Sequence, residues 1–521
     1  MSAAAGDFER VDICFAMNKF DWWKGRSILP MHRWATDGAR DYYTIDLKGE
    51  DTRLAYIFIL YENGRTWYFS EEGLCETYDF KRAYYTHFQN PFIHDCDVHH
   101  VVSWADTAVM YQIFPERFRN GSGDKPYINA KWSDVPTPKS FFGGDLKGIE
   151  QRLDYLKALH VNCLYLNPIF PSVSNHKYDI VDYFGVDEGF GGKAAFASLM
   201  TAAKKNGFRV ILDGVFNHCS ALHPFFQDVV RNGRASPYWN WFFIEGDRVD
   251  MKRVNYLTFA SVGQMPKLNT GNPEVIRYFC SAGAWWIRQY GIDGWRLDVM
   301  DETSAAFLRA FRTAVKTADK DALILGESWH ESESYLLGDQ LDGVMNYGFT
   351  KACMDYLAEG TIDASGFAAR LIRLLNSCAA PASLMMMNLL GSHDTDRFLT
   401  LLNGDIKRMK LAFCLLFFFV GIPCVYYGDE IGMTGGYDPL CRGGFPWDES
   451  KWDEELRSLV TRLSGYRVSG LLGGSEISIE ANENVLVLKR PRLTLCVNAS
   501  KRPGMLDGIT VPPVSCQIIG N

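Results

Sequence analysis

Gly291-Ile-Asp-Gly-Trp-Arg-Leu-Asp298 reads as a buried strand, apolar and aromatic at its centre, that ends on a carboxylate with an arginine two residues earlier. Side chains alternate along a strand, so Arg296 and Asp298 point the same way. An ionised aspartate at such a position is costly unless paired, and the arginine supplies that pairing and holds the anion. On this stretch alone, a reactive carboxylate and a plain buried ion pair account equally well for the pattern.

Working outward, seven further stretches of the same kind alternate with helical patterns. Val109-Met-Tyr-Gln-Ile-Phe114, Val161-Asn-Cys-Leu-Tyr-Leu-Asn167 and Phe208-Arg-Val-Ile-Leu-Asp213 precede it. Ala322-Leu-Ile-Leu-Gly-Glu327, Asp342-Gly-Val-Met-Asn-Tyr347, residues 385–394 and Ile422-Pro-Cys-Val-Tyr-Tyr427 follow it. The helices between them carry their own punctuation: Asp145 as an N-cap ahead of Ile149, Leu153 and Leu156; Gly207 closing a series through Phe196, Leu199, Met200 and Ala203; Asn272-Pro273 opening the helix that leads to Gly291. Eight strands alternating with helices predict an α/β fold built on a (β/α)8 TIM barrel over residues 106–468.

Residues 219–271, after the third strand, are too many for a loop and predict an inserted subdomain. Short aromatic and β-branched runs over 1–105 predict an N-terminal β-sandwich, either carbohydrate-binding-like or a contact surface. Similar runs over 469–521 predict a small C-terminal all-β domain. In the sandwich, Trp22 and Trp23 are candidate sugar contacts, with core packing the plainer reading. His94-Asp-Cys-Asp-Val-His-His100 gathers metal-binding residue types without a defined ligand spacing.

At 521 residues the chain is too long for one ordinary core. Hydrophobic residues make up 47% and charged residues 22%, a globular balance, and the 14% aromatic share suits the flat apolar faces of sugar rings as well as large cores. The 54 basic and 62 acidic residues leave a net charge of −8 without a basic run, which argues against nucleic acid and membrane surfaces as partners. The first ten residues have no basic start and no long apolar stretch, so no signal peptide is expected and a cytoplasmic location is. Thirteen cysteines without a CxxC pair fit reduced thiols. The uncharged segment 411–427 contains Gly421 and Pro423 and is short for a bilayer, so it predicts a buried helix followed by a buried strand.

A barrel of this kind builds its active site at the C-terminal ends of its strands. Four predicted strands end in polar, ionisable residues: Asp213 with Asn217 and His218, Arg296 with Asp298, Glu327, and His393 with Asp394. Several carboxylates around one rim are what glycoside hydrolysis needs, one ionised to attack or stabilise the anomeric carbon and one protonated to assist the leaving oxygen. Asp298, paired to Arg296, is the better anion. Glu327 follows Ala-Leu-Ile-Leu-Gly and precedes Trp329, an apolar setting that raises a carboxyl pKa and favours the acid role.

Asp213-Gly-Val-Phe-Asn-His218, Gly294-Trp-Arg-Leu-Asp298, Gly326-Glu-Ser-Trp329 and Ser392-His-Asp394 resemble, in order and on the matching strands, the four signature regions of the α-amylase family of glycoside hydrolases. The resemblance spans about 106 to 450. It implies retaining cleavage of α-glucosidic bonds through a covalent glycosyl-enzyme, with Asp298 as nucleophile, Glu327 as general acid/base, and Asp394 as the third carboxylate, gripping sugar hydroxyls. By the same resemblance Arg296, His218, His393, His176, Asp213, Asn217 and Trp329 contact that sugar, and Tyr178 within His176-Lys-Tyr-Asp179 stacks on its ring. Met265-Pro-Lys-Leu-Asn269, Val344-Met-Asn-Tyr-Gly-Phe349 and the N-terminal sandwich are similar to the cyclomaltodextrinase, neopullulanase and maltogenic amylase subgroup. This implies cyclodextrins, pullulan and short α-glucan oligosaccharides as substrates, sugar transfer as a side reaction, and a homodimer whose N-terminal domain packs over the partner's active site.

The chain also departs from the family's pattern. Val299-Met-Asp-Glu302 differs from the usual Ala-Asn-Glu after the valine, which leaves the preference between α-1,4 and α-1,6 bonds and between hydrolysis and transfer open. The chemistry needs no cofactor, but the family's calcium loop has a shorter counterpart in Asn120-Gly-Ser-Gly-Asp124, which with Gly143 and Asp145 is either a structural Ca²⁺ site or a metal-free turn. An exo-acting α-glucosidase or oligo-1,6-glucosidase of the same family is the alternative enzyme. A silent carbohydrate-binding or membrane-partner protein is the alternative outside enzymes, disfavoured because all three carboxylates are present.

Overall fold

Alternation decides which way each side chain of the quoted stretch faces, and its neighbours decide what it meets. In the computed structural model, which describes residues 1–49, 51–81, 86–90, 94 and 98–521, Gly294–Leu297 is the fourth strand of an eight-stranded parallel sheet. The strands are β1 (Met110–Ile113), β2 (Cys163–Leu166), β3 (Arg209–Gly214), β4 (Gly294–Leu297), β5 (Leu323–Gly326), β6 (Gly343–Val344), β7 (Met387–Asn388) and β8 (Ile422–Tyr426). Each lies beside its sequence neighbour and β1 pairs with β8. A parallel bridge from Met345 to Met387 joins the β6 and β7 sides and closes the barrel. Gly294 permits the approach of β5, since a Cβ there would collide with the carbonyl of Leu323.

Inward positions of several strands meet in one apolar plug that includes Met110, Cys163, Tyr165, Ile211, Leu323, Leu325, Met387 and Cys424. Outward positions such as Leu164, Leu212, Trp295 and Ile324 pack under the surrounding helices. The filled interior leaves the C-terminal rim as the place for chemistry.

The helix punctuation works as the residue types suggest. Asp145 caps its helix by accepting the Gly148 N–H at 2.7 Å, and Asn272 accepts the Glu274 N–H at 2.8 Å ahead of the helix Pro273–Tyr290. The segment 411–427 divides into the end of helix Ile406–Phe418 and strand β8. Among the described residues no helix is long and apolar enough to cross a membrane. The expected seventh strand, 385–394, is only two residues long. Helix Ala380–Met385 takes its start, and beyond Asn388 the chain leaves the ladder to carry His393 and Asp394 to the rim.

Between β3 and the helix Pro273–Tyr290, the chain forms a short helix, Pro224–Asn232, and folds back through antiparallel bridges that pair His218 with Lys267 and Thr258 with Pro266. The N-terminal region is a pair of antiparallel sheets and the C-terminal one a four-stranded antiparallel sheet with an added hairpin. Trp22, a candidate sugar contact, is 1% exposed and belongs to the N-terminal core against His87 and Phe80, whereas Trp23 is 49% exposed. Of the histidine-rich stretch 94–100, Asp95, Cys96 and Asp97 lie outside the described residues, and His99 is buried with Nδ1 3.2 Å from the Leu336 carbonyl. The twelve described cysteines are free thiols.

Asp342, at the foot of β6, joins three elements. Its buried carboxylate accepts from Arg312 and Lys316 of helix Ala305–Ala318, at 2.7 Å each, and from the Ile324 N–H of β5 at 2.8 Å. Burial raises its pKa, but the two cations outweigh burial and hold it below the ordinary range. Asp342→Ala should therefore cost about 3 kcal/mol, the low end for a broken buried pair because both cations reach solvent, as measured by urea unfolding. A depressed folded-state pKa means that this stabilisation is present above the unfolded carboxylate pKa of about 3.9 and fades on acidification. The gap between wild type and variant should therefore narrow at acid pH.

Candidate active site

Three adjacent strands bring three carboxylates to one guanidinium. Asp213 lies opposite Arg296 in the β3–β4 ladder, and Arg296 lies opposite Leu325 of β5, two residues before Glu327. Arg296 is fully buried, with Nη1 at 2.8 Å from Asp213 Oδ1 and 2.7 Å from Asp298 Oδ1, and Nη2 at 2.9 Å from Glu327 Oε2. Glu327 also accepts the Val299 N–H at 2.9 Å and faces the Trp329 indole N–H at 3.3 Å. The apolar setting expected for Glu327 from its own strand is thus replaced by three polar neighbours. Two of them come from β4 and the turn after it, which the local run of residues does not reveal.

Three carboxylates crowd one positive charge in a buried cluster, so the like charges work against the ionisation of Asp298. Burial pushes Asp298 well above the ordinary carboxylate range, Glu327 and Asp213 add to the rise, and Arg296 opposes it. Asp298 therefore depends on Arg296 to hold its charge against burial and two like-charged neighbours, a cluster rather than a simple pair.

Val299, directly after the aspartate, sits in the left-handed region at φ 44° and ψ 45°, a conformation that costs a β-branched residue roughly 1–3 kcal/mol. It turns the backbone N–H toward Glu327. Strain here is tied to a contact with one of the three clustered carboxylates.

Asp394 belongs to a second network. Its Oδ2 is 2.9 Å from His393 Nε2 and its Oδ1 is 3.0 Å from Arg442 Nη2. Burial works against ionisation, but His393 and Arg442 overcome it and hold the carboxyl well below the usual range. His393 Nδ1 accepts from Gln112 at 2.9 Å and Asn167 at 3.1 Å, so the proton sits on Nε2, toward Asp394 and Tyr178. Tyr178 stacks parallel to the His393 ring at 5.3 Å and donates to Asp213 Oδ2 at 2.8 Å. Through Asp213 the two networks become one.

His218 is fixed differently. Lys267 Nζ donates to Asn217 Oδ1 at 2.7 Å, which turns the Asn217 amide nitrogen toward His218 Nδ1 at 3.3 Å. His218 Nε2 then carries the hydrogen and faces the Tyr178 backbone without a well-formed hydrogen bond. Burial, reinforced by Lys267, lowers the ring's pKa to about 3, so it is a neutral donor. His176 is likewise lowered to about 4, by burial first.

These groups surround a cavity of about 590 Å³ lined by His176, Tyr178, His218, Asp298, Glu327, Trp329 and Asp394. Arg296, Asp213 and His393 are fully buried and lie outside that lining. Of the residues expected to touch sugar, these three therefore support the wall from behind, as Asn217 does through His218. Trp329 is 47% exposed and stacks on Tyr347 at 3.9 Å and 9°. Arg442, Asp438, Tyr437 and Phe259 also line the cavity, and none lies in a motif that marked it beforehand. Phe259 stacks on His218 at 4.7 Å, and the insert that carries it hides that proximity from the sequence.

Asn120, Gly143 and Asp145 converge near the start of the helix Leu146–Glu150, outside this cavity, while Asp124 is exposed on the surface. Among the described residues no group of three or more His, Cys, Asp or Glu is placed to hold a metal ion.

Arg442→Leu tests the second network. Loss of a charge-assisted contact worth about 1.5–3 kcal/mol should lower kcat/KM roughly 10- to 100-fold. It should also let Asp394 titrate at higher pH, moving the acid limb of the kcat/KM profile upward; the profile of purified variant and wild type on a soluble α-glucan checks both.

Comparison with known proteins agrees with this geometry. Residues 112–466 match the alpha amylase catalytic domain and residues 1–94 the alpha amylase N-terminal ig-like domain. A cyclomaltodextrinase from Geobacillus thermopakistaniensis (strain MAS1) is 45% identical over 471 residues, covering 88% of this chain and 79% of the relative. An intracellular maltogenic amylase from Bacillus subtilis (strain 168) is 42% identical over 442 residues, covering 84% and 75%. A solved cyclomaltodextrinase structure superposes with a TM-score of 0.90 at 38% identity, covering 97% of this chain and 88% of that one. The strand-end carboxylates, the barrel that presents them and the matched domains make this chain a member of the alpha-amylase family of glycoside hydrolases.

Proposed function

We propose that the chain is a retaining hydrolase that opens cyclodextrins and cuts α-1,4 bonds in short malto-oligosaccharides and pullulan, with α-1,6 cleavage and sugar transfer open to the same machinery. The observation that carries this reading is the placement of Asp298 and Glu327 in one cavity wall on a single guanidinium. Glu327 protonates the glycosidic oxygen as Asp298 attacks the anomeric carbon, which expels the leaving sugar and leaves a glycosyl ester on Asp298. Glu327, now ionised, takes a proton from water, whose oxygen attacks the same carbon and frees Asp298. Both displacements invert, so the product keeps the α configuration. Asp394, held ionised by His393 and Arg442, accepts hydroxyls of the reacting sugar, and neutral His218 donates Nε2–H to another. Tyr178 and Trp329 offer ring faces to sugar.

The preference for cyclodextrin and the cytoplasmic location are supported by relatives named cyclomaltodextrinase and intracellular maltogenic amylase. A homodimer is supported by the N-terminal surface. Strand Ser27–Pro30 is an exposed sheet edge on which Ile28 is 53% and Leu29 41% exposed, with Phe20 67% exposed nearby in sequence. An apolar edge of this kind calls for a cover.

Timed product analysis on β-cyclodextrin, soluble starch and maltotriose tests the reading. Maltose and glucose should come from the ring faster than from starch. Glucose alone from maltotriose, with the ring untouched, would favour an exo-acting α-glucosidase. Glu327→Gln should cost on the order of 10²- to 10⁴-fold in kcat on an unactivated substrate, and a 2-deoxy-2-fluoro glycosyl fluoride should label the Asp298 peptide, as read by mass spectrometry. For the oligomer, light scattering should give twice the chain mass, and Ile28→Glu with Leu29→Lys should give the monomer with weaker cyclodextrin activity. A wild-type monomer with full cyclodextrin activity would remove the dimer.

A further inference from the structure

The family's calcium loop has an unexpected occupant. Lys125, directly after the turn Asn120–Asp124, extends inward so that Nζ lies 2.8 Å from the Gly143 carbonyl, 2.7 Å from Asp145 Oδ2 and 3.0 Å from the Gly189 carbonyl. The three oxygens come from two separate parts of the chain, the segment before helix Leu146–Glu150 and the turn Glu188–Phe190 beyond β2. An ammonium has three N–H donors and no acceptor, and here it has three oxygens to meet. The Lys125 side chain is 13% exposed and that of Asp145 1% exposed, so this is an interior pair rather than a surface one.

The residues around that point do not suit a divalent ion. Calcium takes six to eight oxygens at roughly 2.3–2.6 Å. Asn120 Oδ1 instead accepts the N–H groups of Ser122 and Gly123, and Asn120 Nδ2 donates to the Gly123 carbonyl, so its side chain is committed to its own turn. Asp145 Oδ1 accepts from Gly121 and Gly148. Asp124 is exposed. The remaining oxygens are those that Lys125 already holds. Burial raises the Asp145 pKa, but its contacts, Lys125 first among them, leave it below the ordinary range, as expected for a carboxylate with a permanent cation.

We infer that the Lys125 ammonium is this protein's built-in replacement for a structural calcium ion: it ties the loop after β1 to the loop after β2, and the folded enzyme neither needs nor binds Ca²⁺ at this place. The loop after β2 carries the cavity residues His176 and Tyr178, so the tether also steadies one wall of the active site.

The test uses the full-length enzyme with thermal unfolding and direct metal analysis as readouts. Wild-type Tm should be unmoved by excess EDTA and by added CaCl₂, and protein purified without chelator should carry well under one equivalent of calcium. Lys125→Met should lower Tm by roughly 5 °C. Asp145→Asn, which keeps an oxygen for the Gly148 cap but removes the charge, should lower it as well. A wild-type Tm that falls in EDTA, or rises saturably with CaCl₂, or one tightly held calcium per chain would overturn the inference. So would a Lys125→Met enzyme as stable as wild type. Should that variant not fold, the wild-type titration alone still decides.

Discussion

A single buried guanidinium, set between three carboxylates from three adjacent strands, is the constraint on which the rest of the site depends. Arg296 cannot reach solvent, and its charge is stable only because Asp213, Asp298 and Glu327 surround it. The converse also holds: burial and the like charges of Glu327 and Asp213 push Asp298 well above the ordinary carboxylate range, so the site is set by three carboxylates crowding one cation. A parallel barrel supplies this arrangement cheaply, because ladder register puts Asp213 and Arg296 abreast and the next strand end delivers Glu327.

Around this centre the remaining groups hold complementary states. Asp394 is kept ionised by His393 and Arg442, while burial keeps His218 neutral. Tyr178 joins the two halves by touching His393 and Asp213. The strained backbone of Val299 turns its N–H toward Glu327, and Trp329 offers its indole N–H from the other side. Asp394 and His218 thus hold their charge states before a sugar arrives, the preorganisation from which electrostatic catalysis draws most of its strength.

Much of this was legible from residues alone. The pairing of Arg296 with Asp298 followed from strand alternation, the barrel from eight alternating segments, and the helix starts at Asp145 and Asn272 from capping chemistry. What escaped was non-local. The surroundings of Glu327 come from the neighbouring strand, so its own apolar run misled. Arg442 reaches Asp394 from 48 residues away with no motif to announce it. The seventh strand was overdrawn because apolar residues of a short helix continue the strand's pattern. Lys125 carries no signal in the sequence, because oxygen-bearing residues mark a metal site and the group that meets those oxygens here is a cation.

The measurement that tests the central claim most directly is the pH profile of kcat/KM on β-cyclodextrin for wild type and Asp213→Asn. Removing one of the three charges that share Arg296 lessens the repulsion that raises Asp298 and leaves the guanidinium freer to hold it. The acid limb should therefore move to lower pH. An acid limb that stays in place or moves upward would mean that Asp213 does not act on Asp298 through the cluster, and the shared guanidinium would lose its place as the organiser of the site.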